Sequence, residues 1–320
     1  MVLVLVEHAG GKPSDTSLQA LTLARSFDAA APIAALLLGS GAGEAADQLS
    51  AHGVGVANVS EEAGGGAFAP DAWAATLAAL ADDVGATAVF AAGTDRGNDV
   101  MARLAARAEL PLATNCVAIQ PGRPVTITRQ RWGGSLLEET RLHSQRPLVT
   151  VAPHAVSIET AMASLPVQVK SFSPSLDAND LVVKVVEHVD TPGGGVSLAE
   201  AKVVVSGGRG VGSKEGFAII EELAGLLGGA VGCSRVVTSA GWRPHTDQVG
   251  QTGTKIAPEL YIACGISGAT QHMAGCKGAK RILAINSDAE APIMLNADYA
   301  VVGDLKEIVP AISAEIRKLR

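Results

Sequence analysis

Aromatic residues are scarce in this chain: three Trp, two Tyr and five Phe among 320 residues. Single-stranded nucleic acid is gripped largely by stacking bases on such rings, so that mode of binding is disfavoured. Positive charge is not in excess either. Lys plus Arg number 25 against 32 Asp plus Glu, a formal net charge of −7, and no Lys/Arg run occurs. Binding driven by phosphate neutralisation along a nucleic acid is therefore not expected. The four cysteines (Cys116, Cys233, Cys264, Cys276) form no CxxC pair and no metal-ligand spacing. Free thiols in a reducing compartment are the expectation, with no metal site. No stretch approaches the roughly 18 consecutive apolar residues of a spanning helix, so no membrane insertion is expected. The sequence opens at once on the strand-like run Val2–Val6. No signal or transit peptide is visible, and a cytoplasmic, bacterial-type location is expected.

What the chain has is glycine, 36 residues of it, and many short apolar runs. Hydrophobic residues make up 48% and mean hydropathy is +0.27. Runs such as Val2–Val6 and Ile33–Leu38 suit strands buried on both faces of a parallel sheet. They alternate with Ala-rich helical stretches. A helix is expected over Ser14–Ala31, with Ser14 or Asp15 as N-cap. Gly43–His52, Val54–Val59, Pro70–Asp83, Ala86–Ala91 and Asn98–Ala108 continue the alternation. This is the pattern of an α/β, doubly wound sheet. It then changes: Val125–Gln130, Leu136–Leu142 and Leu148–Ala152 read as consecutive strands, an antiparallel extension, and Leu181–Val189 as another.

The run Asp190-Thr191-Pro192-Gly193-Gly194-Gly195 reads as a linker, because Pro and Gly end any regular element there. Two α/β domains are expected, 1–195 and 196–320, the second Rossmann-like. Strands are expected at Lys202–Val205, Leu260–Ala263, Arg281–Ile285 and Tyr299–Val302, with helices at Lys214–Leu227 and Leu305–Lys318.

The sharpest local feature is the turn Ser206-Gly207-Gly208-Arg209-Gly210-Val211-Gly212-Ser213 between a strand and a helix. Such a turn aims backbone N–H groups at an anion, and a phosphate or pyrophosphate is its natural ligand. Neither standard fingerprint is complete. G-x-G-x-x-G begins at Gly208-Arg209-Gly210 but has Ser213 in third place. The P-loop pattern fits Gly207 and Gly212 but is followed by Ser213-Lys214, the reverse order. Further polar loops sit at Gln248–Lys255, Cys264–His272, Ile285–Asp288 and Gly303–Leu305. Each is expected to lie just past the C-terminal end of a strand, where open α/β sheets bind ligands. So many polar loops in one domain point to a large, extended ligand.

An ordered set of segments resembles the alpha subunit of electron transfer flavoprotein. It runs Ser206–Gly210, Cys233-Ser234-Arg235, Val249-Gly250-Gln251-Thr252-Gly253, Ala257–Ala263, Gly265–Gly275, Ala284-Ile285-Asn286, Ala291-Pro292-Ile293, Ala297-Asp298-Tyr299 and Gly303-Asp304-Leu305. The N-terminal half is similar through its alternating α/β unit and Gly93–Asp99. The resemblance implies an electron carrier, not a substrate-converting enzyme. It implies an alpha–beta heterodimer whose N-terminal domain contacts the beta subunit. One FAD is implied, held mainly by the C-terminal domain. AMP, or a second FAD, would lie in the beta subunit. Electrons would come from flavin dehydrogenases and go to a quinone oxidoreductase or similar acceptor. The flavin would carry the chemistry.

The same resemblance implies the cofactor contacts. Arg209 and Gly210 belong to the FAD-binding turn. Ser234 lies by the diphosphate or ribityl chain, and Arg235 over the isoalloxazine ring, where a permanent cation favours an anionic reduced flavin. Gln248, Gly250, Gln251, Thr252 and Gly253 form the loop around the flavin, with the Thr hydroxyl near N5. Ser267, Gly268, Gln271 and His272 form the next loop, with His272 near the C2 carbonyl. Asn286, Asp304 and Leu305 lie toward the ADP half. Two departures stand out. Thr254-Lys255 displaces a basic group by one position, and Thr270 stands where Ile is usual. The alternative reading is a self-contained flavin or nicotinamide oxidoreductase. The lack of an acid–base pair beside these loops counts against it.

Overall fold

The structure, a computed structural model, describes residues 1–134, 136–162, 166–186, 198–199 and 201–319. The chain divides into two compact units, Met1–Val189 and Asp190–Arg320. The expected linker at 190–195 and the boundary at 195 lie outside the described residues.

The first unit is built on a nine-stranded sheet. In chain order its strands are β1 (Val2–Leu5), β4 (Ile33–Leu38), β5 (Val54–Ser60), β6 (Ala88–Ala92), β7 (Leu112–Gln120), β8 (Val125–Arg131), β9 (Leu136–Leu142), β10 (Leu148–Val151) and β11 (Gln168–Ser171). A two-residue hairpin, β2 (His8–Ala9) with β3 (Lys12–Pro13), stands apart. The spatial order is β11-β5-β4-β1-β6-β10-β7-β8-β9. Pairings from β11 to β7 are parallel, and those of β7 with β8 and β8 with β9 are antiparallel. Strand β10 therefore returns into the parallel sheet after the antiparallel excursion.

Helices α1 (Asp15–Phe27), α2 (Ala42–Ala46), α3 (Pro70–Asp83) and α4 (Asp95–Ala108) fill the crossovers. Local signals set their ends. Ser14 caps α1 by accepting from Ser17 N–H, and Thr94 caps α4 by accepting from Gly97 N–H. Pro70 opens α3, where its missing donor is not needed. All six residues of β4 are buried, as a central parallel strand requires. Its side chains alternate between two cores. Ala35 and Leu37 join Val2 and Val4 in one. Ala34, Leu36 and Leu38 join Leu3 and Leu5 in the other.

Three expectations are corrected here. Leu181–Val189 is not a strand over its described part: Asn179–Leu181 is a 3-10 turn, and 182–186 carry no regular element. Val182 and Val186 are exposed and have no sheet partner to bury them. The helix expected over Gly43–His52 splits into α2 and a 3-10 segment, Asp47–His52. The helix expected from Ser14 to Ala31 stops at Phe27, where Asp28 takes an extended backbone.

The second unit is a five-stranded parallel sheet. Its strands are β12 (Val203–Gly207), β13 (Ala230–Cys233), β14 (Leu260–Cys264), β15 (Ile282–Asn286) and β16 (Tyr299–Val302), in the order β13-β12-β14-β15-β16. Its helices are α5 (Ala218–Leu227), α6 (Arg235–Ser239), α7 (Thr270–Cys276), α8 (Pro292–Leu295) and α9 (Leu305–Lys318). The helix expected at Lys214–Leu227 begins instead with a 3-10 turn, Glu215–Phe217. Here too the central strands are buried on both faces: Val204, Tyr261 and Ala263 face one core, Val205, Ile262 and Cys264 the other, while edge strand β16 is largely exposed. Among the described residues, no helix is long and apolar enough to cross a membrane.

Candidate cofactor site

Because all five strands of the second unit run parallel, their C-terminal ends share one edge. The loops that leave this edge are knitted together by backbone hydrogen bonds. Ser234 N–H donates to the Gly207 carbonyl at 3.0 Å, Gly208 N–H to Cys264 at 2.8 Å, and Gly210 N–H to Gly265 at 3.1 Å. Gly303 N–H reaches the Asn286 carbonyl at 3.0 Å. The segment 248–254 does not follow a strand end as expected, because the 3-10 turn His245–Asp247 precedes it; it joins this edge through Val249 N–H to Cys233 at 2.9 Å and Gln251 N–H to Gln271 at 2.7 Å.

The glycine turn has a structural reason that the motif tests did not see. Gly208, Gly210 and Gly265 pack on one another. A Cβ on Gly208 would collide with the Gly265 carbonyl, and one on Gly210 would lie 2.8 Å from the Gly265 Cα. Gly265 is also left-handed, with φ +63°. Both facts exclude larger residues there. The turns after β12 and β14 thus approach closely enough to form one surface.

The nominated residues fall into three groups. Arg209, Gly210, Arg235, Gln251, Thr252, Ser267, Gln271 and Asp304 are exposed at this edge, and Ser234, Gly253 and Asn286 half-buried. Gln248, Gly250, Gly268, His272 and Leu305 are buried. The Leu305 side chain belongs to the apolar core, and its Cδ2 packs beside Gly210 and Gly265. Asn286 is a loop brace: Nδ2 donates to the Ile266 carbonyl at 2.9 Å, and Oδ1 accepts from Asp288 N–H at 3.0 Å. Asp304 caps α9, accepting from Lys306 N–H at 2.8 Å.

Charge separates the arginines. In this unit Arg243, Arg281 and Arg317 each pair with a carboxylate. Arg209 and Arg235 form no ion pair among the described residues, and both are exposed. Two unpaired guanidiniums at the end of parallel strands favour an anionic ligand. Ser234 is the N-cap of α6 yet spends no side-chain hydrogen bond on capping. Its hydroxyl is available. These groups fit a dinucleotide cofactor with a diphosphate: cations, a free hydroxyl, and exposed amide and hydroxyl side chains on Gln271, Thr252 and Ser267.

His272 is placed differently from a simple ligand. It is 7% exposed, and Nε2 lies 2.7 Å from the buried Tyr261 hydroxyl. Burial pushes its pKa down to about 4, and the Val249 carbonyl offsets part of this. The ring is therefore neutral at pH 7. Nδ1 has no hydrogen bond of good geometry. The four cysteines are free and buried, and burial pushes each thiol up to about 12. They are protonated at neutral pH. Among the described residues, no cluster of His, Cys, Asp or Glu could hold a metal.

Two residues of this region escaped the sequence reading. Tyr261 is read there only within the strand and the resembling segment Ala257–Ala263, with no role of its own, and Thr238 is not read at all. The one available signal is that a Tyr buried in a strand needs a partner for its hydroxyl.

Fold and site define an α/β protein whose C-terminal parallel sheet gathers, at one edge, groups that suit an anionic cofactor. Comparison with known proteins names it further. A model described as electron transfer flavoprotein FAD-binding domain matches residues 197–277, and one described as electron transfer flavoprotein domain matches residues 2–177. Protein FixB of Clostridium saccharobutylicum is 36% identical, over 99% of this chain and 96% of its own. The electron transfer flavoprotein subunit alpha of Bacillus subtilis is 35% identical, over 99% and 98%. That of Mycobacterium leprae is 37% identical, over 98% of each. The chain belongs to the electron transfer flavoprotein family, as an alpha subunit, and its cofactor is FAD.

Proposed function

We propose that this chain holds FAD along the carboxyl edge of its second unit and works as an electron carrier with a beta subunit. The observation that carries the site assignment is the pair of arginines without an ion pair among the described residues, Arg209 and Arg235, on loops joined by the hydrogen bond from Ser234 N–H to the Gly207 carbonyl. FAD when bound supplies the redox chemistry. The protein groups bind, orient and polarise.

Arg209, Gly210 and the Ser234 hydroxyl hold the phosphate-bearing part. Arg235 supplies a fixed positive charge toward the ring, which favours electron gain there. Gly250, Gln251, Thr252 and Gly253 would form one loop beside the ring, and Ser267, Gly268, Gln271 and His272 the next. Asn286, Asp304 and Leu305 shape the far end, Asn286 and Asp304 by bracing their loops. Gln248 supports Thr252. No substrate bond is made or broken by these side chains. Flavin dehydrogenases are the proposed donors, a quinone oxidoreductase or similar acceptor the outlet, and the cytoplasm the location. AMP or a second FAD belongs to the beta subunit.

The test is to co-express the chain with a beta subunit of the same family. A yellow heterodimer with one FAD bound through this chain, reduced by a flavin dehydrogenase and reoxidised by a separate acceptor, supports the reading. A colourless complex, or turnover of a small substrate with NAD(P)H by this chain alone, overturns it.

A further inference from the structure

Gln248 sits at the centre of a side-chain relay. It is 2% exposed. Its backbone is pinned: Val249 N–H donates to the end of β13 at Cys233, and the Gln248 carbonyl accepts from Thr254 N–H at 2.7 Å. The carboxamide is therefore held in place. Oε1 accepts from the Thr238 hydroxyl at 2.7 Å, and Nε2 donates to the Thr252 hydroxyl at 3.0 Å. Thr238 lies in α6, three residues after Arg235, and its hydroxyl is also 2.9 Å from the Arg235 carbonyl.

Each hydroxyl carries one proton. In the arrangement above, Thr238 gives its proton to Gln248, Gln248 gives one to Thr252, and Thr252 has its own left to give outward. A carboxamide has a second orientation that fills the same volume, with oxygen and nitrogen exchanged. Nε2 then donates to Thr238, the Thr238 proton turns to the Arg235 carbonyl, and Thr252 donates inward to Oε1. The relay is satisfied both ways, because the Arg235 carbonyl is at hand. Thr252 offers the outside a donor in the first arrangement and an acceptor in the second.

We propose that Thr238 and Gln248 are positioning residues that set whether the Thr252 hydroxyl donates or accepts a hydrogen bond at FAD. This rests on the reading that the loop 250–253 faces the flavin. Reduction of an isoalloxazine ring turns ring-nitrogen acceptors into N–H donors, so a reversible hydroxyl matches both forms. A fixed one matches only one of them, and biases the potential toward it.

The experiment measures the FAD reduction potential of the assembled heterodimer carrying T238V, T238S, Q248M or T252V, with FAD content as a control. T238V removes the hydroxyl at nearly constant volume. The expected result is a shifted potential with FAD retained, a wild-type potential in T238S, and a shift at least as large in Q248M. A wild-type potential in both T238V and Q248M, while T252V shifts it, overturns the relay and leaves the loop assignment standing. A wild-type potential in T252V as well overturns the loop assignment, and the relay with it.

Discussion

The Tyr261 hydroxyl lies 2.7 Å from Nε2 of His272, and both side chains are buried in the second unit. Burial raises the phenol well above its ordinary pKa and lowers the imidazole to about 4. Both groups are thus held neutral, as two polar groups in an apolar setting must be. The pair fixes α7 against β14 directly behind the loop 265–269.

This pair gives stability a pH dependence. Unfolded, His272 titrates near 6.5; folded, near 4. Below 6.5 the unfolded chain takes up a proton that the folded chain refuses. The contribution is complete above pH 6.5 and is lost as pH falls to 4, by about 3 kcal/mol. Denaturant unfolding of wild type and His272→Gln across pH 4–7 checks this. The variant should lack that share of the slope, and equal slopes would refute it.

Gly265→Ala should destabilise the second unit by about 1–3 kcal/mol. The new Cβ would sit 2.7 Å from Leu305 Cδ2 and 2.8 Å from the Gly210 Cα, on a backbone with φ +63°. Thermal unfolding reads the stability and FAD titration the binding. Both should worsen together, because one contact shapes both loops.

Arg235→Ala should lower the FAD potential, since it removes a cation with no carboxylate partner among the described residues. Arg235→Lys should recover part of the shift, as a charge without the planar fork. Spectroelectrochemistry decides it. Unchanged potentials in the Ala variant would remove Arg235 from the ring.

Asp304→Ala should cost about 1 kcal/mol through loss of the cap on α9. It should also speed FAD loss, because Leu305 packs beside Gly210 and Gly265 at the same edge. A variant of lower stability with wild-type FAD retention would confine Asp304 to capping.

Strands were legible where apolar runs were unbroken. Ile33–Leu38 and Tyr299–Val302 match their expected bounds, as does helix Leu305–Lys318. Leu112–Gln120 was not legible, because Thr114, Asn115 and Gln120 interrupt its pattern. Gln168–Ser171 is exposed throughout and earns its strand state only from pairing with β5. Ala230–Cys233 is a four-residue strand of small residues, held by β12. The converse error, Leu181–Val189, is a β-branched run that forms no ladder over its described part, where Val185 N–H makes a single bond to the Phe68 carbonyl at 2.8 Å.

Local periodicity and ordered motifs were enough for the α/β class, for most of the polar loops at strand ends, and for the family. They also singled out Arg209 and Arg235. Tertiary structure decided which arginines lack carboxylates, which glycines are needed for loop-to-loop packing, and which hydroxyls meet. Thr238 and Gln248 are ten residues apart, and Tyr261 and His272 eleven. Their partnership follows from parallel strands bringing distant loops to one edge, and no local pattern records it.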